Sequence, residues 1–96
     1  RTARADQRRE AAQKRAELAP LKKQVTAAEK VVERLSATVA KLDQLLADPA
    51  FYARDPEKAK KAGIERGQLA KQLGEAEDTW LRVSAAYDEA RLASGE

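Results

Sequence analysis

The segment Asp48-Pro49-Ala50-Phe51-Tyr52-Ala53-Arg54-Asp55-Pro56 decides how this chain folds. It contains both Asp-Pro dipeptides and two of the three prolines, together with the only Phe and one of the two Tyr. An Asp immediately before a Pro is a helix-start signal. The carboxylate accepts an exposed backbone N–H, and the Pro fits the first helical position because it has no N–H to lose. Two such signals seven residues apart predict a short helical turn from Pro49, capped by Asp48, and a new helix from Pro56, capped by Asp55. The segment is therefore expected to be the tip of a hairpin. Phe51 and Tyr52 lie between the two signals. They are read as folding back to plug the hairpin's end, the alternative being an exposed platform on which bases stack.

The flanks support a hairpin. Upstream, Leu18, Leu21, Val25, Ala28, Val32, Leu35, Val39, Leu42 and Leu46 alternate spacings of three and four. That is the seam of a coiled coil, every a position being Leu or Val and every d position Leu or Ala. Downstream, Ala59, Ala62, Leu69, Leu73, Ala76, Trp80, Val83, Tyr87 and Ala90 repeat the pattern, with Arg66 standing where an apolar residue is due. Gly63, Gly67 and Gly74 lie in the same arm, and each weakens a helix by about 1 kcal/mol relative to Ala. A bulge or register adjustment is expected around Arg66. The fold class is thus all-α: an antiparallel two-helix coiled-coil hairpin with a kinked N-terminal helical extension at Pro20, where the helix is expected to kink or restart. Residues 1–19 form the extension, residues 20–47 the first arm, residues 48–55 the tip and residues 56–93 the second arm, with Ser94-Gly95-Glu96 ending it. Pairing residues whose numbers sum to 108 sets Ala28 against Trp80, Val32 against Ala76 and Leu35 against Leu73, so small side chains meet large ones. A sum of 101, which sets Leu21 against Trp80, is the less favoured alternative.

Composition narrows the function. The 96 residues are 36% charged and only 4% aromatic, so a thick globular core is excluded and long helices are favoured. With no Cys and no His, disulfides, thiol nucleophiles, imidazole catalysis and Cys/His zinc sites are excluded. No glycine-rich phosphate loop is present, and acids such as Glu77 and Asp78 read as a solvated helix face. No apolar run is long enough to span a bilayer and no signal peptide is evident, so a cytoplasmic chain without membrane contact is expected. The first residue is Arg1, which suggests a fragment of a longer protein.

The net charge of +3 is unevenly spread: +5 over residues 1–24, −1 over 25–52, +3 over 53–74 and −4 over 75–96. Folded as a hairpin, the acidic end (Glu75, Glu77, Asp78, Asp88, Glu89) runs beside the basic start (Lys14, Arg15, Lys22, Lys23), and the two are expected to neutralise one another in part. The uncompensated cations are then Lys41, Arg54, Lys58, Lys60, Lys61, Arg66 and Lys71 near the tip, and Arg1, Arg4, Arg8 and Arg9 on the overhanging extension. Lysines and arginines clustered on a narrow rod suit a phosphate backbone, bound by charge without reading bases. The candidate nucleic-acid-binding residues are Lys58, Lys60, Lys61, Arg54, Lys41, Arg66, Lys71, Lys22, Lys23, Arg8 and Arg9. No catalytic, cofactor or metal residue is assigned.

Leu46-Ala-Asp-Pro-Ala-Phe-Tyr52 followed by Asp55-Pro-Glu-Lys58, with Leu18-Ala-Pro-Leu21 before and Leu69-x3-Leu73-x2-Ala76-x3-Trp80 after, resembles the C-terminal domain of ABC-F ATPases of the Uup type. The likeness covers the chain from about residue 14, and the tip is its most specific part. The resemblance implies a two-helix hairpin in a protein whose ATP and Mg sites lie in separate cassettes, with no cofactor in this segment. It implies DNA as partner, with ribosomal RNA possible across the group, and a general basic character for Lys22, Lys23, Lys58, Lys60 and Lys61. The three glycines of the second arm depart from the family's usual pattern. Other roles consistent with the sequence are a scaffold that positions the cassettes, weak self-association, and an RNA-contacting arm like the coiled coil of valyl-tRNA synthetase.

Overall fold

The computed structural model describes residues 2–95, which form three helices and, among the described residues, no strand. These are α1 (Thr2–Leu46), α2 (Pro49–Arg54) and α3 (Pro56–Ala93). Helices α1 and α3 run antiparallel along each other, and α2 closes the end where they join. The result is a rod of 78 × 15 × 14 Å. At about 1.5 Å per residue, the 45 residues of α1 account for roughly 68 Å of that length.

The apolar stripe is the core. All nine upstream positions, Leu18 to Leu46, are buried or half-buried, and so are all nine downstream positions, Ala59 to Ala90. Leu18, Ala28, Leu35, Val39, Ala59, Ala62 and Val83 are the most enclosed along the arms. A fully buried Leu or Val contributes about 1.5–3 kcal/mol. A rod two helices thick encloses few side chains fully, so stability accumulates over many half-buried layers. The contacts across the arms fall close to the sum of 108 and well away from 101. Asp43 meets Arg66, Trp80 walls a hollow with Glu29 and Val32, and Tyr87 shares another with Leu18 and Lys22. In the alternative register Trp80 would lie beside Leu21, a heptad away.

Helix α1 continues through Pro20, so of the kink or restart expected there no restart occurs, and two further expectations, at Arg66 and at the tip, are corrected. Pro20 is exposed, so water can take up the carbonyl left without an N–H partner, while Leu18 and Leu21 hold the backbone on both sides. Residues 2–19 are thus one helix with the first arm, and residues 3–17 of it are exposed. Helix α3 has no bulge near Arg66 and runs from Pro56 to Ala93 through Gly63, Gly67 and Gly74. Arg66 fits because its side chain leaves the seam sideways, which spares the backbone an adjustment. The tip aromatics part ways: Phe51 plugs the end, whereas Tyr52 is 48% exposed. The second arm ends with Ser94 as C-cap, followed by Gly95 at φ 82°, a left-handed conformation suited to glycine. Glu96, and the overhang expected at Arg1, lie outside the described residues.

Candidate nucleic-acid interface

The tip is built as a rigid cap. Asp48 is the N-cap of α2 and its Oδ1 accepts the Ala50 N–H at 3.0 Å. At the other end the Asp55 N–H donates to the Phe51 carbonyl at 2.9 Å. Between them Phe51 is buried against Ala59 and Ala62, with Leu42 and Leu46 packed on the same cluster. The alanines of α3 leave the space that a phenyl ring fills. Asp55 occupies the N-cap position of α3, but its side chain makes no cap hydrogen bond. Its carbonyl accepts the Ala59 N–H at 2.9 Å, and its carboxylate turns to Arg54 Nε at 3.5 Å instead.

Past this cap the cations spread outward. Ala59 and Ala62 face the core, so Lys58, Lys60 and Lys61 project from the flanks and outer side of the first turns of α3, and all three are exposed. Lys41 on α1 and Lys71 on α3 are exposed as well. None of these five lysines has an ion-pair partner among the described residues. Two other candidates do. Arg54 is held by its neighbour Asp55, and Arg66 is not an uncompensated charge at all. Its Nε donates to Asp43 Oδ1 at 2.8 Å and its Nη2 to Asp43 Oδ2 at 3.4 Å. The guanidinium's hydrogen bonds and charge hold the Asp43 carboxyl below the usual carboxylate value, and Asp43 in turn raises the Arg66 pKa. Arg66 belongs to the hairpin's own structure and leaves the candidate interface.

The remaining candidates lie far from the tip. Arg8 and Arg9 lie in the exposed stretch of α1, residues 3–17, that precedes buried Leu18. Lys22 and Lys23 sit near the open end with Ala19, Thr26, Ala27 and Lys30 around one shallow hollow on the outer face of α1. The expected neutralisation between arms does not occur by contact. Among the described residues the ion pairs are Arg54–Asp55, Arg66–Asp43 and Arg91–Asp88, and none joins the acidic end of α3 to the basic start of α1. Instead Arg15 and Lys22 line a hollow with Tyr87, over whose ring the Arg91 guanidinium sits at 5.9 Å. Arg15, Lys30 and Arg91 are thus basic neighbours of the candidate residues that net-charge blocks concealed. The register contained the signal, since it brings Arg15 and Arg91 to the same level of the rod.

No group of three or more Asp or Glu among the described residues is arranged to hold a metal ion. Among the described residues no helix is long and apolar enough to cross a membrane. Fold and surface together define a helical hairpin: a rod with an apolar seam, a plugged tip and unpaired lysines beside it. The chain belongs to the ABC transporter C-terminal domain family, whose model matches residues 19–85. This is an accessory domain and not a catalytic one, in agreement with the ABC-F resemblance drawn from the tip. No curated protein and no solved structure is a significant match to the chain.

Proposed function

We propose that this hairpin is the nucleic-acid-binding arm of an ABC-F ATPase of the Uup type, holding DNA by charge without reading its sequence. The observation that carries the reading is the set Lys58, Lys60 and Lys61, exposed beside a rigid tip and unpaired among the described residues. Lysines on a rod 15 Å across can follow a phosphate backbone, and neutralising phosphates releases condensed counterions. Lys41 and Lys71 extend the basic surface along the arms, and Lys22, Lys23, Arg8 and Arg9 supply a second region at the open end. No side chain is organised as a groove-reading element, so sequence selectivity is not expected. ATP and Mg belong to the cassettes of the longer protein, and its cytoplasmic location is part of the same proposal.

A second reading is favoured by Ile64, Leu81 and Leu92, large apolar side chains left 57–70% exposed on α3. They suit a scaffold that contacts the protein's own cassettes or a second copy. A salt titration of duplex DNA binding tests the first reading. The affinity of the wild-type chain should fall linearly on a log–log plot, with a slope of about −0.9 per phosphate neutralised. The Lys58→Glu/Lys60→Glu/Lys61→Glu triple variant should bind more weakly and with a shallower slope. An affinity unchanged by the substitutions, or indifferent to salt, removes the tip as the binding surface. Structured RNA as competitor distinguishes a ribosomal or transfer RNA partner from DNA.

A further inference from the structure

Phe51 and Tyr52 are adjacent in one short helix, yet the first is 5% exposed and the second 48%. Helical geometry turns successive side chains by about 100°, so when α2 drives Phe51 into the Ala59/Ala62 cluster it must turn Tyr52 outward. The backbone under Tyr52 is fixed on both sides, by the Asp48 cap on Ala50 and by the Asp55 N–H on the Phe51 carbonyl. The two rings lie 6.2 Å apart at 57°, so the buried ring also buttresses the exposed one. Packing does not require a large aromatic here, because the plug is complete without it. An exposed, braced ring at the far end of a rod, followed within nine residues by Lys58, Lys60 and Lys61, combines a flat π face with free positive charge.

We infer that Tyr52 is a stacking site for an unpaired nucleobase, with the neighbouring lysines holding the phosphates that flank it; the inference rests on the nucleic-acid reading above. A flat ring accepts the face of any base, so the site adds affinity without adding sequence preference. Paired bases inside a duplex present no free face, so the ligand class is nucleic acid with unstacked bases: single strands, overhangs, gaps or loops. A protein or lipid partner fits less well. Along the chain the ring is followed by Ala53, Arg54 and Lys58, and no further large apolar residue comes before Ala59, which is buried in the plug, so the tip sequence supplies charge beside the ring and little apolar surface.

Anisotropy titrations of the full chain with a blunt duplex and with the same duplex carrying a short single-stranded overhang test this. The wild type should bind the overhang form about tenfold more tightly, the gain expected from one stacked base. Tyr52→Ala should lose that preference while keeping blunt-duplex affinity, and Tyr52→Phe should retain it. A 2-aminopurine in the overhang should be quenched by the wild type and by Tyr52→Phe, but not by Tyr52→Ala. Helicity and thermal midpoint measured alongside confirm that the variants are folded. A preference that survives in Tyr52→Ala, or that is missing from the wild type while the blunt duplex still binds, overturns the stacking site and leaves charge-driven binding intact. Binding of neither DNA by the wild type overturns both.

Discussion

Arg66 stands in the apolar seam of α3, and its Nε donates across the hairpin to Asp43 Oδ1 at 2.8 Å. One polar residue at a core position of a coiled coil specifies register, because sliding the helices by a heptad leaves it unpaired. Here the partner is partly exposed, so the pair contributes more to alignment than to stability.

The Asp43 carboxyl is held below its ordinary value of 3.8, chiefly by the hydrogen bond from Arg66. A depressed folded-state pKa means that the pair's contribution is complete above 3.8 and is lost as pH falls through the lower folded value. Arg66→Ala should therefore melt below the wild type at neutral pH, and the gap should close under strongly acidic conditions. A gap of constant width would show that Arg66 acts through packing alone. Arg66→Leu, which fills the seam, should melt higher than Arg66→Ala at every pH.

The tip should respond asymmetrically to substitution. Phe51→Ala empties the plug and should cost about 3 kcal/mol. Asp48→Ala removes a cap hydrogen bond and should cost about 1 kcal/mol. Asp55→Ala should cost much less, since that side chain caps nothing. Chemical denaturation of the three variants checks the order. Equal losses at the two Asp positions would contradict the capping geometry.

Helix interiors offer room for stabilisation. A Cβ added at Gly63, Gly67 or Gly74 meets nothing within 4 Å. Each Gly→Ala change should add about 0.5–1 kcal/mol through propensity and the entropy of the unfolded chain. Pro20→Ala should also stabilise, because α1 already passes through that position without its hydrogen bond. Gly95→Ala should do the opposite, given its φ of 82°. Thermal midpoints of the single variants decide this, and a lower midpoint for Gly67→Ala would point to a functional need for a pliable α3.

The arms were legible in the sequence because a two-helix rod poses a simple problem. Each helix has one neighbour, so a spacing of three and four identifies the buried face, and the size match between Ala28 and Trp80 identifies the register. The tip was legible as a turn because Asp48-Pro49 and Asp55-Pro56 are local signals. What spacing does not encode is the direction in which a six-residue helix turns its side chains, and so it did not distinguish Phe51 from Tyr52. Nor does it encode whether oppositely charged blocks touch. Long side chains on an exposed rod gain little from pairing, so proximity of Glu77 or Asp78 to the basic arm need not produce contacts. Arg66 looked like free charge for the converse reason, its partner lying 23 residues back on the other helix.

The chain enters and leaves the rod at the end opposite Phe51, and the body between is continuous helix for most of its 78 Å. A beam held at one end transmits motion in both directions. A slight pivot at the base sweeps the tip through a wide arc, and a ligand gripped at the tip exerts a torque at the base. The unbroken helix through Pro20 and the Asp43–Arg66 pair across the arms are the features of the rod that oppose a break in α1 and sliding between the two helices.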